Sequence, residues 1–126
     1  MITEDYVSFE TAKLLKEKGF DVKCLTYFIS DNEIATILTR RDFNNNGIYL
    51  SAPTIQMAMK WLREEKKLSI IIDICFDDDR DRQPGYFFDI WRLTPPYESL
   101  ETPHPVFDTY EEACEAAIKY CLENLI

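Results

Sequence analysis

The sequence predicts a single α+β domain with the element order αββ-αββ-α. An amphipathic helix followed by two strand candidates occurs twice, at residues 8–40 and 51–93, and a third helix follows at 109–125. A chain of 126 residues is the usual size of one domain. Because each pair of strands has the pattern of a hairpin, we predict one antiparallel sheet of about four strands, with the helices mainly on one face. The sequence leaves open whether the two αββ units arose by duplication.

The first helix is bounded by residues typical of helix ends. Ser8 is a common N-cap, and Gly19 is a common residue just past the last turn. The following segment, Cys24–Ser30, is rich in aromatic and β-branched residues in alternation, which predicts a strand. A turn at Asp31-Asn32 leads to a second alternating segment, Glu33–Thr39, so we expect a hairpin here.

The second unit repeats this order. Ser51 is the expected N-cap of its helix, Pro53 lies in the first turn, and the helical spacing of apolar residues continues to about Lys67. The next segment, Leu68–Phe76, is apolar almost throughout, which predicts a central strand buried on both faces. After a polar turn, Tyr86–Leu93 returns as the second strand of the hairpin.

A long loop and the helix with the clearest start complete the chain. Thr94–Pro105 contains four prolines, and we expect an irregular connection of the kind that is often functional. Thr109 and Glu112 have the spacing of a capping box, which predicts a helix that begins there. The small apolar residues that follow predict close packing of this helix on the sheet.

The net charge of −9 restricts the classes of partner. This charge repels nucleic-acid phosphates and anionic lipids, and the lysines of the first two helices alternate with acidic residues, which is typical of a solvated surface. The first residues lack the basic and apolar regions of a signal peptide, and no apolar run is long enough to cross a membrane. Four cysteines without CxxC spacing are expected to be reduced. We therefore predict a cytoplasmic protein that binds neither membranes nor nucleic acid.

The sequence contains no recognisable catalytic, metal-binding or cofactor motif. His104, the one histidine, lies between two prolines without a nucleophile motif, and we expect an exposed loop residue. The acidic turn Asp77–Asp81 lacks the glycine and the final glutamate of a calcium loop, and Arg80 and Arg82 can neutralise it. Cys114 and Cys121 have the wrong spacing for zinc. We predict no catalytic residue, no metal and no cofactor, and whether the acidic turn binds a cation stays open.

Three helical segments resemble one group of small proteins. They are Tyr6–Phe20 (YVSFETAKLLKEKGF), Ser51–Arg63 (SAPTIQMAMKWLR) and Thr109–Glu123 (TYEEACEAAIKYCLE). In these segments the chain is similar to uncharacterised small proteins from prophages and mobile elements of gut bacteria, whereas its strands and loops differ more. The resemblance implies a mobile-element setting and a cytoplasmic location. It implies no activity, and no site residue is transferred from it.

The sequence favours protein binding over catalysis. Aromatic residues make up 13% of the chain, so some rings must lie at the surface, and we expect an interaction surface that includes Trp61, Tyr86, Trp91 and Tyr97. The partner would be another protein or a second copy of this chain, bound through this surface or an edge strand. One alternative is an acidic mimic of nucleic acid that inhibits a host nuclease. Another is an enzyme whose site the sequence does not reveal.

Overall fold

Helices and strands follow one another in the predicted order. The structure, a computed structural model, describes residues 2–45, 49–76 and 83–126. It confirms the α+β class. A short 3₁₀ turn at Phe43–Asn45 and a π-helical turn at Cys121–Leu125 are added to the predicted elements. The helices are α1 (Phe9–Glu17), α2 (Ile55–Glu65) and α3 (Tyr110–Tyr120), and the strands are β1 (Cys24–Ser30), β2 (Glu33–Arg41), β3 (Leu50–Ser51), β4 (Leu68–Phe76) and β5 (Pro84–Arg92).

The strands form two antiparallel sheets, which differs from the single sheet of about four strands that the sequence predicts. One sheet has the order β2-β1-β3, and the other consists of β4 and β5. The difference arises from β3, whose two residues give only a weak signal in the sequence. It pairs with β1 through Tyr27 with Ser51 and Phe28 with Leu50. This pairing takes the edge of β1 that the second hairpin would need, so the second hairpin forms a sheet of its own.

The predicted starts of the first and last helices are confirmed by their caps. Ser8 Oγ accepts a hydrogen bond from Thr11 N at 3.2 Å, and Thr109 Oγ1 accepts one from Glu112 N at 3.1 Å. At the end of α1, Gly19 has φ 92°, in the left-handed region that a side chain would disfavour. Both helices therefore begin where a local polar side chain replaces a missing backbone acceptor.

The predicted N-cap of α2 is wrong. The helix begins after Thr54, whose Oγ1 accepts from Met57 N at 3.1 Å. Ser51 lies instead in β3, and its Oγ accepts from Phe43 N at 3.1 Å. The pairing of β3 with β1 keeps the chain extended past this serine, so Pro53 precedes the helix rather than occupying its first turn.

The core is built mainly from α2 and α3 against the β4–β5 sheet, and α1 contacts both β3 and α3. A polar contact fastens the first helix to the last: Glu115 Oε1 accepts from Thr11 Oγ1 at 2.6 Å and from Ser8 N at 3.0 Å. Nearby, Lys119 Nζ lies 3.0 Å from Glu10 Oε1. The largest fully buried side chains include Phe20, Phe88, Leu15, Leu62, Ile90 and Ile118.

The burial of β4 differs from the predicted central strand. Leu68 and Ile70 are buried, but Ile74 and Phe76, further along the strand, are 59% and 74% exposed. Ile71, whose side chain points to the opposite face of the strand, is 43% exposed. Helices cover one face of this sheet and only the first half of the strand. The second half of β4 therefore meets solvent despite its apolar sequence.

Candidate interaction surface

β4 and β5 pair over their whole length in one continuous register. Leu68 is opposite Arg92, and Phe76 is opposite Pro84. Opposite residues of an antiparallel pair point to the same face, and consecutive residues point to opposite faces. The inner face meets the helices; it carries Leu68, Ile70, Ile72, Ile74 and Phe76 of β4 and, opposite them, Arg92, Ile90, Phe88, Tyr86 and Pro84 of β5. The outer face carries Ser69, Ile71, Asp73 and Cys75 of β4 and, opposite them, Trp91, Asp89, Phe87 and Gly85 of β5.

The outer face exposes an aromatic and an aliphatic side chain close to each other. Trp91 is 39% exposed, and Ile71 is exposed to a similar degree. Ser69 lies directly opposite Trp91, so Ile71 is the diagonal neighbour of the indole, within reach of a large side chain. Exposed tryptophan beside an exposed aliphatic residue is typical of surfaces that protein partners bury.

His104 borders this outer face from the long loop. Its Nε2 lies 2.9 Å from Asp89 Oδ1, and its ring packs edge-on against Phe87 with the centroids 5.9 Å apart. The imidazole is half exposed, so it is the exposed loop residue that the sequence predicts. The structure adds a fixed position for it, because two side chains of β5 hold the ring at the rim of the apolar surface.

The two outer edges of the β4–β5 sheet differ in their hydrogen bonding. The loop after β5 forms backbone hydrogen bonds with the edge of β5 that faces away from β4, at several points along the strand. Within the described residues, no backbone hydrogen bond from another segment reaches the second edge of β4. The loop bonds are Tyr86 N to Phe107 O at 2.9 Å, Phe107 N to Tyr86 O at 2.7 Å, Leu100 N to Ile90 O at 2.8 Å and Arg92 N to Glu98 O at 2.9 Å.

Trp61 does not belong to the exposed surface, which corrects one part of the prediction. It is 4% exposed, and its ring packs edge-on against Phe20 with centroids 5.4 Å apart. Lys66 Nζ lies 5.3 Å from the centroid of the indole and covers its outer side. The apolar side of α2 is therefore wide enough to include the flank on which this tryptophan lies.

The other three predicted aromatics lie on or next to β5 but point in different directions. Trp91 is on the outer face, whereas Tyr86 is half-buried on the inner face. Tyr97 is 64% exposed in the turn after β5, where its N donates to Thr94 O at 2.7 Å. The structure thus places Trp91 on the outer face and separates it from Trp61.

Sequence reasoning missed the uncovered end of the inner face. Ile74 and Phe76 are exposed there, and Tyr86 and Tyr110 meet edge-on nearby with centroids 6.3 Å apart. The length of β4 is the signal that could have revealed it. A strand of nine residues extends about 30 Å, whereas two helices side by side cover about 20 Å. One end of such a strand must project past its helices.

Three cysteines are buried thiols rather than reactive groups. Burial raises the pKa of Cys24 and of Cys114 to about 11 and that of Cys121 to about 12. These thiols stay protonated at neutral pH, so none of the three offers a thiolate nucleophile. In the part of the chain that the structure describes, no group of three His, Cys, Asp or Glu side chains is placed to hold a metal ion. The acidic turn Asp77–Asp81 lies outside the described residues.

A cleft of about 410 Å³ lies between the N-terminal segment, the β1–β2 hairpin and α2. Glu4, Arg40 and Lys60 line it with charges of both signs, and all three are exposed. Catalytic groups usually converge in a site that partly excludes water, where burial and neighbours tune them. The cleft shows no such burial of its charged groups, so it does not assign a reaction to this chain.

Comparisons with known proteins give no relative from which a function could be transferred. Across residues 2–45, 49–76 and 83–126, no helix is long and apolar enough to span a membrane. No family model, no curated protein and no solved structure matches the chain.

Proposed function

We propose that this protein is a small accessory protein that acts by binding another protein through the outer face of the β4–β5 sheet. The exposure of Trp91 next to Ile71, on the face opposite the one that the helices cover, carries this proposal. Tryptophan is enriched among the residues that dominate binding energy, especially when a partner removes it from water. His104, held by Asp89, supplies a polar rim on one side of this apolar centre.

The charges of the surface define the partner that fits it. Asp73 is exposed on the outer face, and the whole chain carries a net charge of −9. A partner with an acidic surface would be repelled, whereas one with an apolar centre and a basic rim would be attracted. We therefore propose a protein partner with exposed apolar residues ringed by lysine or arginine.

The setting that we infer for this function is the cytoplasm of a bacterial host of a prophage or another mobile element. The resemblance of the three helical segments supports the mobile-element setting. The reduced, buried thiols of Cys24, Cys114 and Cys121 suit a reducing compartment. The acidic composition accords with a partner that is a protein rather than a nucleic acid.

Affinity capture from host lysate with matched variants tests the proposal. Trp91→Ala removes the exposed indole, and Leu38→Ala is its control, because Leu38 is fully exposed on β2, in the other sheet. We expect the wild type and L38A to retain the same protein in equal amounts. W91A should retain at least tenfold less of that protein. Rebinding of that protein in purified form should show the same order. Equal retention by W91A, or no specific retention by the wild type, would refute the proposal.

The same experiment separates the two alternatives. A retained nuclease whose binding is lost steeply with salt, and is indifferent to W91A, would favour the acidic mimic of nucleic acid. Against that alternative, some described carboxylates are already paired with cations, as Glu10 is with Lys119. A small molecule that stabilises the fold through the cleft at Arg40 and Lys60 would favour the enzyme.

A further inference from the structure

We propose that the free edge of β4 pairs antiparallel with β4 of a second copy of this chain, which joins two β4–β5 sheets into one. The surface consists of the edge of Leu68–Phe76 and the uncovered end of the inner face at Ile74 and Phe76. It is distinct from the outer-face site around Trp91, so it does not rest on the proposed partner protein.

The edge of β4 lacks the features that normally prevent strand pairing. Natural edge strands are shortened, bulged, or protected by proline and lysine. β4 has nine residues, pairs with β5 without a bulge, and contains neither proline nor lysine. Asp73 is the one charged residue within it. Among the described residues no segment bonds to the backbone groups along this edge, so they are available to a second strand.

The sequence of β4 is complementary to itself in the antiparallel direction. If two copies pair about a two-fold axis at Ile72, Ile74 of one copy lies opposite Ile70 of the other. Phe76 of one copy then lies opposite Leu68 of the other. The exposed half of each strand is placed beside the half that the other copy's helices already cover. All opposing residues on the inner face are thus apolar, from Leu68 to Phe76.

This complementarity is the reason to assign a second copy rather than another protein to the edge. The same register satisfies both copies, which is the property of a two-fold interface. It sets Asp73 opposite Ile71 of the second copy, so the two carboxylates are not directly opposed. In the sequence, two lysines precede the strand and three aspartates follow it, and this order of charges favours antiparallel over parallel association of two copies.

Sedimentation velocity over a range of protein concentrations tests the association. Ile74→Lys places a charge opposite Ile70 of the second copy but should leave the single copy folded, because Ile74 is 59% exposed. Ile29→Lys is the matched control, since Ile29 on β1 is also 59% exposed. We expect a reversible dimer for the wild type and for I29K, and a dissociation constant at least tenfold weaker for I74K. A monomeric wild type, or a dimer that I74K leaves intact, would overturn the proposal.

A cross-link tests the register independently of any change in folding. In the proposed pairing Ser69 lies opposite Cys75 of the second copy, within the range of a disulfide. Within one chain these positions are six residues apart along a strand, about 20 Å, so they cannot bond to each other. Mild oxidation should cross-link S69C into a covalent dimer and leave Ser30→Cys, the exposed control, largely monomeric. Equal cross-linking of both variants would contradict the register.

The outcomes for the two proposals can be told apart. A monomeric wild type that still retains a protein through Trp91 would overturn only the pairing of β4. A dimer that I74K dissociates, with no protein retained from the lysate, would overturn only the outer-face function. W91A should leave the dissociation constant of the dimer unchanged, because Trp91 points to the other face and lies on β5.

Discussion

Replacing Thr11 by valine tests how strongly the first helix is fastened to the last. Thr11 is fully buried, and its Oγ1 donates to Glu115 Oε1 at 2.6 Å. Valine has nearly the same shape but no hydroxyl, so the carboxylate loses its shortest hydrogen bond while the packing is kept. The second oxygen, Oε2, is also buried, with no hydrogen-bond partner among the described residues.

The expected cost follows from what the carboxylate retains. A hydrogen bond to a charged group contributes about 1.5–3 kcal/mol to stability. Ser8 N still donates to Glu115 Oε1 at 3.0 Å in the variant, so the carboxylate keeps one donor. We therefore expect T11V to lower the free energy of unfolding by about 2 kcal/mol. For a domain of this size such a loss lowers the Tm by about 6–10 °C.

Urea unfolding followed by far-UV circular dichroism measures this loss. Thr3→Val is the control, because Thr3 is exposed and its replacement should change stability by less than about 0.5 kcal/mol. A double-mutant cycle with Glu115→Ala, which removes the acceptor, isolates the contact itself. We expect the two changes to be non-additive by about 1 kcal/mol or more, since each removes the same bond. A T11V as stable as wild type, or strict additivity, would refute the reasoning.

Three further predictions concern the core, a helix start and pH. Trp61→Ala should cost about 3–5 kcal/mol and move the urea midpoint accordingly, because the ring fills the core; a loss below about 1 kcal/mol would contradict its burial. Thr54→Ala should cost about 1 kcal/mol through loss of the α2 N-cap, whereas Ser51→Ala should leave helix content by circular dichroism unchanged. Stability should also fall above pH 9, because thiols of the unfolded chain ionise with a pKa near 9.0, whereas burial raises the pKa of Cys24 and Cys114 to about 11 and that of Cys121 to about 12. The thiol contribution is fully present below pH 9 and is lost as the pH rises through 11 to 12, so equal urea midpoints at pH 7 and pH 10 would contradict it.

Helix starts were predictable where the signal is local. Ser8 and Thr109 each cap a helix through a side chain that reaches a backbone N–H three residues on, so a short window of sequence contains the whole interaction. Ser51 has the same chemistry, yet it does not cap α2. Its chain is held extended by the pairing of β3 with β1, and that contact joins segments far apart in sequence.

The candidate surface was less predictable from the sequence. Which side chains are exposed depends on the face to which each strand residue points and on which face the helices cover. Trp61 and Trp91 are the same residue type, but one lies on the buried flank of a helix and the other on the outer face of a two-stranded sheet. The apolar run of β4 was correctly identified as a strand with its observed bounds. The prediction that it is buried on both faces is wrong because, in the described part of the chain, the helices pack on one face and Ile71 and Asp73 are exposed on the other. No pattern within the strand itself records how many layers cover it.

The loop bonded along β5 has a consequence for how many copies can associate. A sheet extends by joining free edges, and in the β4–β5 sheet the loop already occupies one of them through bonds such as Leu100 N to Ile90 O. When β4 of one copy meets β4 of another, the last free edge of both sheets is consumed. Extension of the β4–β5 sheet then stops at two copies. The proline-containing loop thus limits the extension of this sheet, because it already bonds along the edge of β5.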